Sequence, residues 1–178
     1  MIPLTEKIVS LHRELRSVEI PHAFGGALAL AWCTEQARGT VDIDINIFVG
    51  VENAEQVFED LPSFIRWTKK DLKMAQKEGQ VRVWWEKTPI DIFLNTTKLH
   101  KEMALRCRWE NFANESIPFL SCHDIAVLKV FFDRTKDWAD LEAMTEAGTI
   151  DLTRITATII EYLGSDDERV KKIAELAL

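Results

Sequence analysis

The chain has 178 residues, of which 47% are hydrophobic and 29% are charged, and its formal net charge is -7 at pH 7. This composition predicts a soluble globular protein, and the acidic balance argues against a broad nucleic-acid surface, which would be basic. No apolar run approaches the roughly 20 residues of a membrane-spanning helix. Cys33, Cys107 and Cys122 form no CxxC motif, and without a signal peptide they predict free thiols in a cytoplasmic protein.

The amino-terminal part of the chain predicts a helix, a short strand, a turn and a second helix. Apolar residues recur at helical spacing from Leu4 to Arg16. His22 to Phe24 is short enough to be a buried strand. Gly25 and Gly26 then turn the chain into the small apolar segment 27–32, which is composed of good helix formers.

The segment from Val41 to Val49 alternates β-branched residues with other residues, which is a strong strand pattern. Because successive side chains of a strand point to opposite faces, we expect Asp42 and Asp44 on the same face, about 7 Å apart. Two carboxylates this close repel each other unless a cation or hydrogen-bond donors neutralise them. The pair is therefore a candidate metal site, close to a glycine turn that could bind phosphate.

The middle of the chain predicts a helix and a hairpin. Asn53 is expected to cap the helix, and residues 64–79 are ambiguous, with a short strand before a polar stretch that holds several lysines. Residues 80–85 alternate in polarity, and a tight connection joins them to the apolar run 90–94, which predicts a β-hairpin. Asp91 is the one charged residue in the second of these runs.

The rest of the chain predicts a short helix, an edge-like strand pair and a series of helices. The short helix covers 98–105, and the strand pair covers 106–112 and 116–120. Ser121 opens a capping-box pattern. Helices are predicted over 125–132, 136–147, 151–163 and 166–178.

This order of elements predicts an α+β fold with some α/β character. We expect a mixed twisted sheet with flanking helices in residues 1–120 and a helical part in residues 121–178. The helices from Asp151 onward either close a substrate cleft, form a dimer interface or complete the core.

Three carboxylates that converge from neighbouring strands can hold one or two Mg²⁺ ions, which bridge phosphate oxygens. The order of a glycine pair, a strand with Asp42 and Asp44, and Asp91 on a later strand resembles the nucleotidyltransferase superfamily, whose fold is like that of DNA polymerase β. The stretches from Arg38 to Asp44 and from Lys129 to Leu141 also resemble the AbiEii/MenT-type toxin branch and related bacterial proteins. The resemblance covers roughly residues 20–145.

The resemblance implies a nucleotidyltransferase fold and an enzyme that moves a nucleoside monophosphate from a nucleoside triphosphate to a hydroxyl acceptor, releasing pyrophosphate. Asp42, Asp44 and Asp91 would bind Mg²⁺ or Mn²⁺, and Asp91 would also help to deprotonate the acceptor. The glycine pair would hold the triphosphate, and Lys129 would contact phosphate. The residues implied in substrate binding are Gly25, Gly26, Arg38, Thr40, Lys129, Arg134, Lys136 and Asp137, with Asp140 as the alternative to Asp137.

The acceptor and the partners stay open at this point. A toxin would modify RNA or protein and would have an antitoxin partner, whereas a resistance enzyme would modify a small hydroxylated compound such as an aminoglycoside or a lincosamide. The acidic charge favours a small acceptor or a local RNA contact. A homodimer is a further option. The main alternative is a module that keeps the fold and binds a nucleotide or a protein without catalysis.

Each motif also has a plain structural interpretation. A glycine pair is usually a turn, an acidic strand face is usually solvated, and the basic residues between Lys129 and Lys136 resemble an exposed helix face. His22, just before the glycines, is expected to be structural rather than catalytic.

Overall fold

Helices and strands alternate through the first 120 residues, and the remainder of the chain is helical. The structure is a computed structural model that describes residues 2–176, so the last two residues of the predicted helix 166–178 lie outside the described part. The elements in chain order are α1 (Leu4–Ser17), β1 (His22–Phe24), α2 (Gly26–Thr34), β2 (Ile43–Gly50), α3 (Ala54–Glu59), α4 (Lys69–Glu78), β3 (Gln80–Trp85), β4 (Thr88–Asn95), α5 (Lys98–Leu105), β5 (Arg108–Phe112), β6 (Glu115–Phe119), α6 (Cys122–Phe132), α7 (Thr135–Glu146), α8 (Leu152–Leu163) and α9 (Glu168–Glu175).

The described residues group into two compact units. The first contains the chain up to Leu28 together with Gly39–Leu120, and it holds every strand. The second contains Ala29–Arg38 and the chain from Ser121 onward, so it comprises most of α2 and all of α6 to α9. Within residues 2–176 no helix is long and apolar enough to span a bilayer.

The sheet of the first unit is mixed and has the strand order β3-β4-β2-β1-β6-β5. The pairs β2–β4 and β1–β6 are parallel, and the other neighbours are antiparallel. The α+β prediction, with a mixed sheet and helices at the carboxyl end, is confirmed. The strand pair predicted near residue 110 is more than an edge: β6 lies inside the sheet beside β1, and only β5 forms the border.

Alternating polarity determines which side of the central strands is buried. On β2 the side chains of Ile43, Ile45 and Ile47 are almost fully buried, and β4 buries Ile90 and Ile92 in the same manner. Burying each such side chain contributes about 1.5–3 kcal/mol. The acids that alternate with these residues are therefore turned to the opposite face of the sheet.

Three local predictions need correction. The strand begins at Ile43 rather than at Val41, which is 78% exposed and contributes nothing to the core. Asn53 makes no capping hydrogen bond with its side chain, since a 3₁₀ turn leads directly into α3. The ambiguous stretch 64–79 contains helix α4, which a reciprocal capping box between Thr68 and Asp71 begins.

The second unit contains a disulfide. Cys33 near the end of α2 is bonded to Cys122 at the start of α6, and their Cα atoms are 5.4 Å apart. The prediction of three free thiols is therefore wrong for this pair, and it holds for Cys107. The two cysteines are separated by 89 positions, so no local spacing motif could indicate the bond.

Candidate active site

Gly25 and Gly26 join the end of β1 to the start of α2, directly beside Asp44. The backbone N–H of Gly25 donates a hydrogen bond of 2.9 Å to the carbonyl oxygen of Asp44. Gly26 has φ 53°, and a Cβ atom built on it would lie 1.8 Å from Oδ2 of Asp44. Only glycine fits here, because the carboxylate lies in the space that any side chain would need. The close approach also places this carboxylate at the amino end of a helix, where negative charge is stabilised.

A row of charged side chains crosses three neighbouring strands. Asp44 on β2 is in register with Asp91 on β4, which is in turn in register with Arg82 on β3. Residues opposite each other in a sheet share a face, and neighbouring strands are about 4.8 Å apart, so the row is continuous. The sequence-based expectation that the acids of two strands meet on one face is therefore met for Asp44 and Asp91.

Arg82 donates hydrogen bonds to both carboxylate oxygens of Asp91. Its Nε is 2.7 Å from Oδ1 and a terminal guanidinium nitrogen is 2.6 Å from Oδ2, and that nitrogen also lies 4.0 Å from Oδ2 of Asp42. The hydrogen bond with Asp91, the charge of Asp91 and the charges of Asp42 and Asp44 raise the pKa of Arg82. The guanidinium is therefore the resident counter-ion of the acids.

Asp42 lies just before β2, and Thr40 orients it. The hydroxyl of Thr40 donates a hydrogen bond to Oδ1 of Asp42, so the carboxylate is fixed although its backbone is outside the strand. A role of Thr40 in binding substrate stays a prediction. What the structure shows is contact with a candidate metal ligand.

The donor set suits a hard divalent cation, since Mg²⁺ prefers carboxylate oxygens and keeps several of its waters. Asp42 lies just before β2, and Asp44 is the second residue of that strand. Asp91 lies opposite Asp44 on β4. In residues 2–176, however, no three His, Cys, Asp or Glu side chains are gathered closely enough to hold a metal ion in common. The metal role of the three acids stays a prediction, and Arg82 is the group that occupies Asp91.

The other predicted binding residues form an ion-pair network in the second unit. Lys129 of α6 lies 2.6 Å from Oδ2 of Asp140 and 3.3 Å from Oδ1 of Asp137. Arg134 donates hydrogen bonds to both oxygens of Asp137, and Arg38 donates one to Asp140. The structure thus gives Lys129 two carboxylate partners, and its contact with phosphate stays a prediction.

Asp137 is fully buried within this network. Burial acts to raise the pKa of Asp137, but the hydrogen bond from Arg134 and the charge of Lys129 outweigh it, and the pKa lies below the ordinary value. Lys136, one residue earlier, is exposed. The predicted residues therefore divide into two sets, with Arg38 and those after residue 128 in the second unit and the rest in the first.

Comparison with known proteins relates this architecture to a described fold. No family model matches the sequence, and no curated protein matches it. The structure is similar to an antigenic nucleotidyltransferase-like protein from Paracoccidioides brasiliensis, with a TM-score of 0.56 and 16% identity over 95% of this chain and 92% of that one. The chain has the nucleotidyltransferase fold.

Two antibiotic-modifying enzymes share this fold with the chain. The lincosamide antibiotic adenylyltransferase LnuA, in its lincomycin-bound structure, gives a TM-score of 0.52 and 13% identity over 79% of this chain and 95% of that one. ANT(2″)-Ia, in complex with adenylyl-2″-tobramycin, gives a TM-score of 0.55 and 13% identity over 97% of this chain and 96% of that one. At these identities the likeness concerns the fold, and the resemblance to the AbiEii/MenT-type branch stays a prediction.

Sequence reasoning missed two residues on the acidic face of this nucleotidyltransferase fold. One is Arg82, which the hairpin register could have indicated. If a two-residue connection pairs Trp85 with Thr88, the antiparallel register also pairs Arg82 with Asp91. The other is Asn46, which follows Asp44 on the same face and is buried, with its Nδ2 close to Gly25. Its polarity inside an apolar strand was the available signal.

His22 lies at the opposite end of β1 from the glycine pair. Its Nδ1 donates to the carbonyl of Ile20 at 2.8 Å, and its Nε2 lies 2.9 Å from Nδ1 of His12. Burial lowers the pKa of His22 to about 4. The ring is neutral and buried at physiological pH and joins α1 to the sheet, as expected of a structural residue.

Proposed function

We propose that the chain is a metal-dependent nucleotidyltransferase, which moves a nucleoside monophosphate from a nucleoside triphosphate to a hydroxyl acceptor with release of pyrophosphate. One observation carries the proposal: Asp44 lies against the glycine turn at the start of α2 and is in register with Asp91. A phosphate-binding turn and a pair of carboxylates within one strand spacing are the parts that this reaction requires.

Each residue then has a defined task. Asp42, oriented by Thr40, and Asp44, which lies in the space left by Gly26, would hold Mg²⁺ or Mn²⁺. Asp91 completes the set and accepts the proton of the acceptor hydroxyl. A cation held by these residues would supply positive charge for the phosphate groups and for the leaving pyrophosphate.

The first turn of α2 supplies the phosphate contacts in this proposal. The N–H of Gly25 is engaged with the carbonyl of Asp44, so we assign the amides that follow it, from Gly26 onward, to the triphosphate. Gly25 then acts by allowing the close packing of β1 on β2. Arg38, Lys129, Arg134, Lys136 and Asp137 are proposed to bind nucleotide or acceptor from the second unit.

The acceptor that we place first is a small hydroxylated molecule. The net charge of -7 disfavours broad contact with RNA, and two proteins of the same fold are described with lincomycin and with an adenylylated tobramycin. RNA or protein modification by a toxin with an antitoxin partner is the second option within the same reaction.

The second candidate function is a nucleotide- or protein-binding module without catalysis. The observation that favours it is the bidentate hold of Arg82 on Asp91, which neutralises the residue assigned to deprotonate the acceptor.

The test is transfer of label from α-labelled nucleoside triphosphates to a panel of aminoglycosides, lincosamides, transfer RNA and protein. The proposal predicts Mg²⁺-dependent labelling of one acceptor class, and labelling of RNA would favour the toxin option. Calorimetric binding of a nucleoside triphosphate with Mg²⁺, together with no transfer to any member of the panel, would favour the binding module.

A further inference from the structure

We infer that Arg82 is an exchangeable counter-ion, which holds the acid cluster in the metal-free protein and releases Asp91 when a divalent cation is bound. The cluster consists of Asp42, Asp44 and Asp91. The inference rests on the proposed function, because it concerns the cation that this function requires, and it assigns Arg82 a regulatory role at that site.

The contacts of Asp91 lead to this conclusion. Both of its oxygens accept a hydrogen bond from Arg82, at 2.7 and 2.6 Å, so one lone pair on each oxygen is engaged by a positively charged group. A bidentate guanidinium–carboxylate pair is directional and strong for a surface interaction. A divalent cation that binds the same side of Asp91 is repelled by the guanidinium, so we infer that Arg82 gives up at least one of these bonds when the cation binds.

The charge balance gives Arg82 its function in the absence of the cation. Asp44 and Asp91 lie opposite each other on neighbouring strands, and the guanidinium that binds Asp91 also lies 4.0 Å from Asp42. Like charges at this spacing repel each other and destabilise the fold. Arg82 reduces this repulsion, and a divalent cation would reduce it further, so the two compete for the same position.

Exposure shows that the exchange is feasible. The side chain of Arg82 is 50% exposed, whereas that of Asp91 is 13% exposed. The arginine can therefore turn out into water while the carboxylate stays where it is. The β3–β4 hairpin does not depend on the pair, because six consecutive backbone register positions, from Gln80 to Trp85, hold the two strands together.

The experiment compares Arg82→Gln and Arg82→Lys with a matched control, Arg13→Gln. Arg13 on α1 donates two hydrogen bonds to Glu115 on β6, and three strands separate β6 from β3, so the control makes the same change in net charge away from Asp91. Calorimetry measures the affinity of each variant for Mn²⁺ alone. R82Q should bind Mn²⁺ about tenfold more tightly than the parent chain, R82K by a smaller factor, and R13Q with no change.

Thermal unfolding supplies a second readout that does not involve activity. In EDTA, R82Q should unfold at a lower temperature than R13Q, and addition of Mg²⁺ should raise its unfolding temperature more than that of the parent chain. Unchanged or weaker Mn²⁺ affinity in R82Q would overturn the inference. If R82Q does not fold, R82K decides by the same comparison.

Asp44→Asn separates failure of this inference from failure of the proposed function. If D44N removes Mn²⁺ binding and R82Q leaves the affinity unchanged, the metal site stands and only the role of Arg82 is wrong. If Mn²⁺ binds to none of the variants, or binds equally well to D44N, both proposals are contradicted.

Discussion

At the scale of single residues, the contact between Gly26 and Asp44 is the most constrained feature of the site. The glycine combines a left-handed φ of 53° with the absence of a side chain where Asp44 lies. The second glycine of the pair is thus explained by geometry, since even the small side chain of serine would displace the carboxylate.

Gly26→Ala is predicted to be more destabilising than an ordinary glycine substitution. Gly148→Ala is the matched control, because Gly148 also has a positive φ, 67°, but open space around it. G148A should lose about 1 kcal/mol from backbone strain alone, and G26A about 2 kcal/mol more because the added methyl group clashes with Asp44. Urea unfolding measures both, and equal losses would show that the clash is relieved without cost.

His22 gives the fold a specific pH dependence. Its pKa falls from 6.5 unfolded to about 4 folded, so the unfolded state takes up a proton first as the pH decreases. The contribution of the neutral ring to stability is complete above pH 6.5 and is lost progressively down to about pH 4, a change of about 3 kcal/mol. His22→Asn, which keeps a donor for Ile20, should flatten this slope in unfolding measured between pH 7 and 4. An identical slope in both proteins would contradict the assignment.

At the scale of elements, the last turn of α6 and the first two turns of α7 form the network centred on Lys129. Its side chain is 14% exposed and bridges Asp137 and Asp140, of which the first is fully buried. Loss of the Lys129 ammonium group would leave the buried carboxylates of Asp137 and Asp140 with fewer partners. Leaving a buried charge with fewer partners is one of the more destabilising changes in proteins.

Lys129→Met is therefore predicted to lower the free energy of unfolding by about 3 kcal/mol. Lys136→Met is the control, because Lys136 is exposed on the next helix, and it should change stability by less than about 0.5 kcal/mol. Chemical denaturation of both variants separates a structural role of Lys129 from one confined to phosphate. Equal stabilities would rule out the structural role.

The disulfide between α2 and α6 makes a separate prediction. Cys33→Ser removes a cross-link between positions 89 residues apart and should lower stability by about 2–4 kcal/mol. A reducing agent should have the same effect on the parent chain. Cys107→Ser, which removes the free thiol, should respond to reduction as the parent chain does. Identical unfolding with and without reductant would show that no disulfide is formed.

Elements with strong periodicity were predictable from sequence, and contacts between distant positions were not. The alternation of β2 identified that strand and the face of Asp44, the apolar run after a tight connection identified β4, and Ser121 marked the start of α6. The parallel pairing that brings Asp91 beside Asp44 depends on the whole sheet, so only the resemblance suggested it. The partners of Lys129 likewise come from a neighbouring helix.

At the scale of the whole molecule, the two units carry different parts of the proposed chemistry. The first holds the acids and the glycine turn, and the second holds most of the basic residues assigned to substrate. The sheet register accounts for the placement of the first set, since it puts Asp91 opposite Asp44, which lies against the glycine turn. The ion pairs of the second set stabilise the helices that carry it. Its role in binding substrate is a proposal.

The most direct test of the central claim is the rate of label transfer from an α-labelled nucleoside triphosphate by the parent chain, D44N and Asp60→Asn. Asp60 is partly exposed and accepts a hydrogen bond from Gln56, so D60N controls for the loss of a carboxylate. We predict Mg²⁺-dependent transfer by the parent chain and D60N, and a loss of more than about 100-fold in D44N, since even outer partners of a metal ligand are worth 10–100-fold. Transfer by D44N at the rate of the parent chain would contradict the account.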